Sequence, residues 1–237
     1  MTKRWVMADL HGNYKALLQC LERSKFDKEK DVLIIIGDVV DGYNEVKQCI
    51  DKLLELNTIF VRGNHDQWVI DFITTGRFNY MWLEQGGYAT LASYGMDVHD
   101  NSVEIPKSHF DFLTKSLVYY SSNGQLFVHG GIEPQCKVEN MSEDYIMWDR
   151  SLFQNAIKKR FDKSDNNYKF VKRYDEVFIG HTTTQSWGSI EPLKACNVWN
   201  LDTGAGWSGK LTIMDIDSKE FYQSDLAKEL YPGQGRG

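Results

Sequence analysis

The chain has 237 residues, of which 42% are hydrophobic and 25% are charged, as is ordinary for a soluble α/β domain. It has no apolar run of about 18 residues and no closely spaced cysteine pairs, which excludes a membrane-spanning helix, a zinc finger and a disulfide framework. The net charge of −6 disfavours stable nucleic-acid binding, and the four scattered cysteines favour a reducing cytoplasm.

The first part of the chain predicts a βαβαβ unit with parallel strands. Residues Val32–Ile36 form a continuous apolar run closed by a glycine, which is typical of a strand buried on both faces. The other elements are strands at Arg4–Asp9 and Thr58–Val61 and helices at Asn13–Arg23 and Glu45–Leu56. Ligands bind beyond the carboxyl ends of strands in such sheets, so the residues after each strand are expected to meet.

Residues 67–120 predict a helical, aromatic-rich cap inserted beside that edge. The aromatic residues of this segment either pack in the core or shape substrate access to the site, and both interpretations stay open. Two histidines of this segment, His99 and His109, are expected to be surface or cap residues.

The remainder of the chain predicts further strands of the same domain. Two are followed by histidines, and two more are predicted to form a hairpin around a glycine-rich turn. These strands are Gln125–Val128 and Glu176–Ile179, then Val198–Asp202 and Lys210–Asp215. We expect a single domain over residues 1–237, with a flexible tail at 232–237.

Chemically competent side chains concentrate in five short patches, which contain four of the six histidines. The patches are Asp9-Leu10-His11, Gly37-Asp38-Val39-Val40-Asp41-Gly42, Gly63-Asn64-His65-Asp66, Val128-His129-Gly130-Gly131 and Gly180-His181. Mixed carboxylate, imidazole and amide ligands suit Mn²⁺, Fe²⁺ or Zn²⁺. A two-metal centre needs a shared carboxylate, and Asp38, which follows the central apolar strand, is the natural bridge.

This ordered series resembles the calcineurin-type metallophosphoesterases, and within them the phosphoprotein phosphatase branch with its small bacterial and bacteriophage serine/threonine phosphatases. The resemblance runs from Arg4 to about Asp215 and includes the segment from Asn200 to Ala205. It implies a β-sandwich flanked by helices, with the βαβαβ unit at its core.

The resemblance also implies two metal positions, with manganese expected and iron or zinc as alternatives. The first position is formed by Asp9, His11 and Asp38. The second is formed by Asp38, Asn64, His129 and His181. A water activated between the two ions would attack phosphorus without a covalent phosphoenzyme.

The implied proton donor is His65, which would protonate the leaving oxygen while Asp41 holds its imidazole. Asn64 and Arg150 are the implied phosphate-binding residues, since a guanidinium can bind two phosphate oxygens.

Arg150 has a simpler alternative interpretation, a surface salt bridge with Asp149 or Glu143.

The second patch departs from the branch pattern. The branch usually has arginine directly after the second aspartate, whereas Gly42 follows Asp41 here. Without this arginine the site lacks a charge-assisted hydrogen bond of roughly 1.5–3 kcal/mol, which should weaken binding of a monoester dianion. The substrate class therefore stays open. Lys47, Arg77 or Lys107 are the candidate replacements.

Three functions follow. The leading one is metal-dependent hydrolysis of phosphomonoesters, as a serine/threonine protein phosphatase that acts on phosphoserine or phosphothreonine and on small aryl phosphates. The second keeps the centre but acts on a nucleotide, a dinucleoside polyphosphate, an RNA end phosphate or a phosphodiester. The third is a non-catalytic binding module, which is disfavoured because no ligand position is lost.

Overall fold

The computed structural model describes residues 2–96, 105–163 and 168–235. Within them the strands are β1 (Arg4–Ala8), β2 (Val32–Ile36), β3 (Thr58–Val61), β4 (Tyr119–Ser122), β5 (Gln125–Val128), β6 (Glu176–Ile179), β7 (Leu193–Ala195), β8 (Val198–Asn200), β9 (Thr212–Asp215) and β10 (Phe221–Gln223). The helices are α1 (Tyr14–Ser24), α2 (Val46–Leu54), α3 (Asn64–Thr75), α4 (Tyr80–Trp82), α5 (Tyr88–Ser93), α6 (Lys107–Thr114), α7 (Glu143–Trp148), α8 (Ser151–Lys163) and α9 (Ala227–Leu230). A π-helical turn, Leu83–Gly87, joins α4 to α5.

These strands form two five-stranded sheets, in the orders β10-β9-β1-β2-β3 and β4-β5-β6-β8-β7. In the first sheet β1, β2 and β3 are parallel, which confirms the predicted βαβαβ unit. In the second sheet β5, β6 and β8 are parallel. Both sheets therefore have a carboxyl edge at which loops can meet.

The two sheets pack face to face as a sandwich. Side chains alternate along β1, so Val6 contributes to the interior between the sheets while Met7 packs on the outer face. Ile34 of β2 lies in the same inner layer as Phe127 and Phe178 of the second sheet. Helices α1 and α2 cover the outer face of the first sheet, and α7 and α8 cover that of the second. The α/β sandwich flanked by helices is confirmed.

The predicted hairpin of Val198–Asp202 with Lys210–Asp215 is wrong. Strand β8 belongs to the second sheet, where it pairs with β6 and with β7, whereas β9 belongs to the first sheet and pairs with β1 and β10. The glycine-rich connection therefore crosses from one sheet to the other. The glycine-rich sequence taken alone favours a hairpin. The pairing of each strand is decided instead by contacts with strands that are distant in sequence.

The segment predicted as a cap holds most of α3 and all of α4, α5 and α6, and its last two residues lie in β4. His109 is buried in α6 and not at the surface, with its ring nitrogens 2.8 Å from the Tyr94 hydroxyl and 2.9 Å from an Asp51 carboxylate oxygen. His99 lies outside the described residues. Residues 232–235 of the predicted tail are exposed, and 236–237 lie outside the described residues.

Among the helices of the described ranges, none has the length and apolar character needed to cross a membrane. Cys20, Cys49 and Cys196 are buried, and Cys136 is exposed.

Candidate metal centre

The five patches meet where the carboxyl edges of the two sheets come together. Asp9 and His11 follow β1, Asp38 follows β2, and Asn64 begins the helix after β3. The second sheet supplies the remaining pair, His129 after β5 and His181 after β6. All six side chains are buried. Residues far apart in sequence thus form one cluster.

The cluster divides into two donor groups that share one carboxylate. Potential ligand atoms lie within 4.8 Å of one another in each group. The first group is Asp9, His11 and Asp38. The second is Asp38, His129 and His181. The Oδ1 atom of Asn64 lies 3.1 Å from His129 Nε2, so the amide adjoins the second group. This arrangement places Asp38 where a bridging ligand is expected.

Two of the histidines are oriented by backbone carbonyl groups. The Nδ1 atom of His11 lies 3.1 Å from Val40 O, and Nδ1 of His129 lies 3.0 Å from Ile36 O. Donation of Nδ1–H to these carbonyls leaves each Nε2 facing Asp38, at 3.5 Å for His11 and 3.3 Å for His129. A carbonyl partner of this kind fixes the tautomer that binds metal through Nε2.

Three glycines allow the ligand loops to approach closely. A Cβ atom on Gly63 would lie 2.1 Å from Asp38 Oδ1, and one on Gly180 would lie 2.0 Å from Asp9 Oδ2. At Gly37, where φ is +75°, a Cβ would lie 2.4 Å from His129 Nδ1. Any side chain at these positions would displace a ligand, so the glycines of the patches serve the site sterically.

Burial and the neighbouring charges shift the pKa values of the side chains in the cluster. Burial and the nearby Asp202 carboxylate raise the pKa of Asp9 well above its usual value. Burial also disfavours the charged form of Asp38, but the surrounding histidines, chiefly His129, hold its pKa well below the usual value. For His129 burial acts in the opposite direction, yet the Asp38 and Asp9 carboxylates raise its pKa to about 10.

The donor set fits divalent cations. Burial lowers the pKa of His181 to about 2, with further contributions from His129 and Arg150, so this imidazole is neutral at physiological pH. Its buried Nε2 has no hydrogen-bond partner in the described part of the chain. An unpaired buried nitrogen beside a shared carboxylate is costly without a ligand, and a cation would satisfy it.

The predicted proton donor and its partner lie beside the cluster. His65 Nδ1 is 2.6 Å from Asp41 Oδ2, and both side chains are buried. The backbone N–H of His65 donates to Asp38 Oδ1 at 3.1 Å, which ties the imidazole to the shared ligand. The ring is thus aimed by a carboxylate on one side and anchored to the cluster through its backbone.

Sequence reasoning missed the two residues that hold Asp41. The indole N–H of Trp82 donates to both Asp41 carboxylate oxygens, at 3.0 and 3.1 Å. The Thr90 hydroxyl donates to Oδ1 at 2.6 Å and accepts from the Asp41 backbone N–H at 2.9 Å. Both partners come from the cap segment, and nothing in its local pattern singled them out from the other aromatic and small residues.

Asp66 is a third residue whose role was missed, although it lies in a predicted patch. Its carboxylate accepts the backbone N–H groups of Asp38 at 2.7 Å, Val39 at 3.0 Å and Gly63 at 2.8 Å. It joins the loop after β2 to the start of α3. Its position three residues after Gly63 at a helix start is the capping signal that would have found it.

Arg150 extends over the centre from the loop between α7 and α8. Its Nη1 donates to the His181 carbonyl at 3.0 Å and to the Thr182 hydroxyl at 2.9 Å. In the described chain it forms no ion pair with Asp149 or Glu143, so the salt-bridge interpretation is wrong. Glu143 lies instead near Arg62, at 3.9 Å.

These groups open onto a cavity of about 210 Å³. Two exposed tryptophans, Trp148 and Trp207, contribute to its rim. Its other lining residues are Asp9, His11, Asp38, Asn64, His65, Gln85, Arg150, His181, Thr182, Thr183, Ser186 and Asp202. None of the three cations proposed to replace the missing arginine, Lys47, Arg77 and Lys107, is among them.

Comparison with known proteins agrees with this geometry. The family model for calcineurin-like phosphoesterases matches residues 2–207. Serine/threonine-protein phosphatase 2 of Salmonella typhimurium is 38% identical over 227 residues, covering 90% of this chain and 92% of that protein. The symmetrical bis(5'-nucleosyl)-tetraphosphatase of Pseudomonas entomophila is 23% identical over 286 residues, covering 96% of this chain and 95% of that protein.

A solved structure shows the same fold. The metallophosphoesterase from Sphaerobacter thermophilus aligns with a TM-score of 0.58 at 16% identity, covering 94% of this chain and 89% of that chain. The family match over most of the chain, the shared fold and the clustered metal-type ligands lead to one conclusion. The chain belongs to the calcineurin-like phosphoesterase family and is a metal-dependent phosphoester hydrolase.

Proposed function

We propose that this protein is a cytoplasmic serine/threonine protein phosphatase that uses two divalent ions, with Mn²⁺ as the native metal. The observation that carries the proposal is the pair of donor groups sharing Asp38, with His65 opening onto the same cavity. The bacterial relative named as a serine/threonine-protein phosphatase supports the substrate class. The phosphorylated side chain is expected to belong to a protein or to a small phosphoester, without stable nucleic-acid binding or membrane attachment.

Six residues are proposed to hold the ions: Asp9, His11, Asp38, Asn64, His129 and His181. When bound there, the ions would polarise the phosphoryl oxygens and acidify a water for in-line attack. Arg150 holds the phosphate against the centre through its guanidinium. Asn64 assists through its amide. The chain thereby orients the scissile bond toward His65.

The leaving oxygen needs a proton, and His65 is proposed to supply it. The Asp41 carboxylate at 2.6 Å keeps the imidazole aimed. Trp82 and Thr90 hold that carboxylate in turn. Because the attack is direct, no side chain of this chain is required as a nucleophile.

The test is hydrolysis of p-nitrophenyl phosphate and of a phosphoserine peptide, with and without Mn²⁺. Activity should require the metal, disappear with a chelator, and fall at least about 1000-fold in Asp38→Asn, because the shared ligand is lost. Metal-independent activity of the unaltered protein, or full activity of Asp38→Asn, would contradict the proposal.

A second function, hydrolysis of a dinucleoside polyphosphate, is favoured by a specific feature. Gly42 replaces the arginine that follows Asp41 in the protein-phosphatase branch, and one relative is named a bis(5'-nucleosyl)-tetraphosphatase. Comparing kcat/KM on a phosphoserine peptide, diadenosine tetraphosphate and an RNA-end phosphate distinguishes the two. A tenfold preference in kcat/KM for one substrate class, which corresponds to about 1.4 kcal/mol, would identify the substrate class.

A further inference from the structure

The π-helical turn Leu83–Gly87 of the cap segment lies against Asp41 and Gly42 and contributes Gln85 to the cavity wall. Gly86 has φ +112°, and a Cβ atom on it would lie 2.4 Å from the backbone nitrogen of Gly42 and 3.2 Å from Asp41 Cβ. Gly42 itself has φ +84° and is buried. The cap backbone therefore lies directly against the residue that stands where the branch has arginine.

This wall is anchored on both sides of the turn. Trp82 precedes it and Thr90 follows it, and both are buried and hydrogen-bonded to the Asp41 carboxylate. A Cβ on Gly87 would lie 2.7 Å from the Trp82 ring, so the turn also packs closely on its own anchor. The residue at the apex of the turn, Gln85, is thereby held at a defined place.

Gln85 lines the cavity together with Asp38, His65 and Arg150. It is exposed, and its side-chain amide makes no hydrogen bond within the described chain. Arg150 is the one lysine or arginine among the described residues that line this cavity. The cavity thus has a cation on one wall and a neutral amide on the wall next to Gly42.

We propose that Gln85 is a substrate-binding residue that takes the place of the missing arginine and determines the charge class of the substrate. Its amide N–H donates to a non-bridging phosphoryl oxygen. An arginine binds a dianionic monoester far better than a monoanionic diester because its hydrogen bonds are charge-assisted, whereas a neutral amide discriminates less. The cavity is therefore expected to accept diesters or polyphosphates better than a two-arginine site does. This inference rests on the proposed phosphoester hydrolysis.

The test measures kcat/KM for p-nitrophenyl phosphate and for bis-p-nitrophenyl phosphate in the Mn²⁺-loaded protein. Gln85→Arg should raise the monoester-to-diester ratio about tenfold, because the added cation favours the dianion. Gln85→Lys should shift the ratio in the same direction by a smaller factor. Gln85→Ala should lower kcat/KM for both substrates about threefold or more, mainly through KM, since the lost contact is made in binding.

Glu84→Gln is the matched control. Glu84 is exposed, immediately precedes Gln85 and does not line the cavity, and its substitution changes the net charge by the same amount as Gln85→Arg. The ratio should stay within twofold of the unaltered protein in this variant. An equal shift in the control would overturn the inference, because the effect would then come from general charge.

Two other results separate this inference from the proposed function. If the unaltered protein hydrolyses a phosphoester but Gln85→Arg leaves the ratio within twofold and Gln85→Ala leaves KM unchanged, the assignment of Gln85 is wrong and the proposed function stands. If the unaltered protein hydrolyses neither substrate with any divalent metal, both are wrong.

Discussion

At the residue scale, the backbone of the centre is held in an unfavourable conformation. Nine non-glycine residues have positive φ in the described chain, and five of these are predicted site residues. They are Asp9, His11, Asp38, Asp41 and His181. A non-glycine residue in this region costs of order 1–3 kcal/mol, so the surrounding fold must impose it. The fold therefore holds these site residues in place at a cost in local stability.

His65→Asn should lower kcat by about 100- to 10,000-fold, because the leaving oxygen loses its proton donor. The decrease should be larger for an alkyl phosphate than for p-nitrophenyl phosphate, whose phenolate leaves more easily without a proton. Steady-state kinetics on both substrates measure this, with metal content as the control. A loss of the same size for both leaving groups would argue against a role in protonation.

A carboxylate remote from the centre offers a test of stability against pH. Burial raises the pKa of Glu176, but hydrogen bonds from Lys219 at 2.6 Å and from Gln125 and Trp199 at 3.0 Å outweigh it, so the pKa lies below the usual 4.5. A lowered folded-state pKa stabilises the protein above about pH 4.5 and loses this contribution as the pH falls further.

Glu176→Gln should therefore reduce the free energy of unfolding at pH 7 by about 1 kcal/mol, since partial exposure screens the ion pair. Below about pH 4 the difference from the unaltered protein should shrink. Urea unfolding at several pH values measures it. A difference that stays constant from pH 7 to pH 3.5 would show that the loss is steric.

At the element scale, the start of α3 positions both the shared ligand and the proton donor. Asp66→Asn removes one carboxylate oxygen and with it some of the acceptors for the N–H groups of Asp38, Val39 and Gly63. We expect a 10- to 100-fold loss of metal affinity, as is typical when a residue that orients the metal ligands through hydrogen bonds is changed. Metal titration measures this. Asp71→Asn, on the exposed face of the same helix, is the control and should bind metal normally.

The π-helical turn of the cap should be intolerant of a side chain at Gly86. Gly86→Ala introduces both an unfavourable φ and a Cβ 2.4 Å from the Gly42 nitrogen. Gly76→Ala shares the positive φ, +69°, but its Cβ would meet nothing within 4 Å. Chemical denaturation should show Gly76→Ala destabilised by about 1–2 kcal/mol and Gly86→Ala by at least about 1 kcal/mol more. Equal losses would mean that the cap moves away from Gly42 without cost.

At the scale of the whole molecule, bound cations would link the two sheets. Asp9 and Asp38 come from the first sheet, and His129 and His181 come from the second. Mn²⁺ at about 100 times its Kd should stabilise the fold by about 2.7 kcal/mol and raise Tm by about 5–10 °C. Thermal denaturation with Mn²⁺ and with a chelator measures the shift. The same shift in Asp38→Asn would contradict binding at the shared carboxylate.

Local sequence patterns were sufficient to predict those parts of the fold and site that depend on residues adjacent in sequence. The apolar run Val32–Ile36 marks a strand because both its faces are buried, and the polar residues after it mark a strand end. His109 shows the limit of this reasoning. Its burial depends on Tyr94 and Asp51, which other elements bring to it, and not on its neighbours in sequence.

The sequence by itself determined the order of strands in the βαβαβ unit, the ligand types of the five patches and hence the family, because these depend on periodicity and short motifs. Only the tertiary structure decided that β8 and β9 lie in different sheets, that Trp82 and Thr90 hold Asp41, and that Gln85 faces the cavity. These features arise from contacts between residues distant in sequence. Such contacts form because both partners gain burial or hydrogen bonds together, and neither partner alone carries the signal.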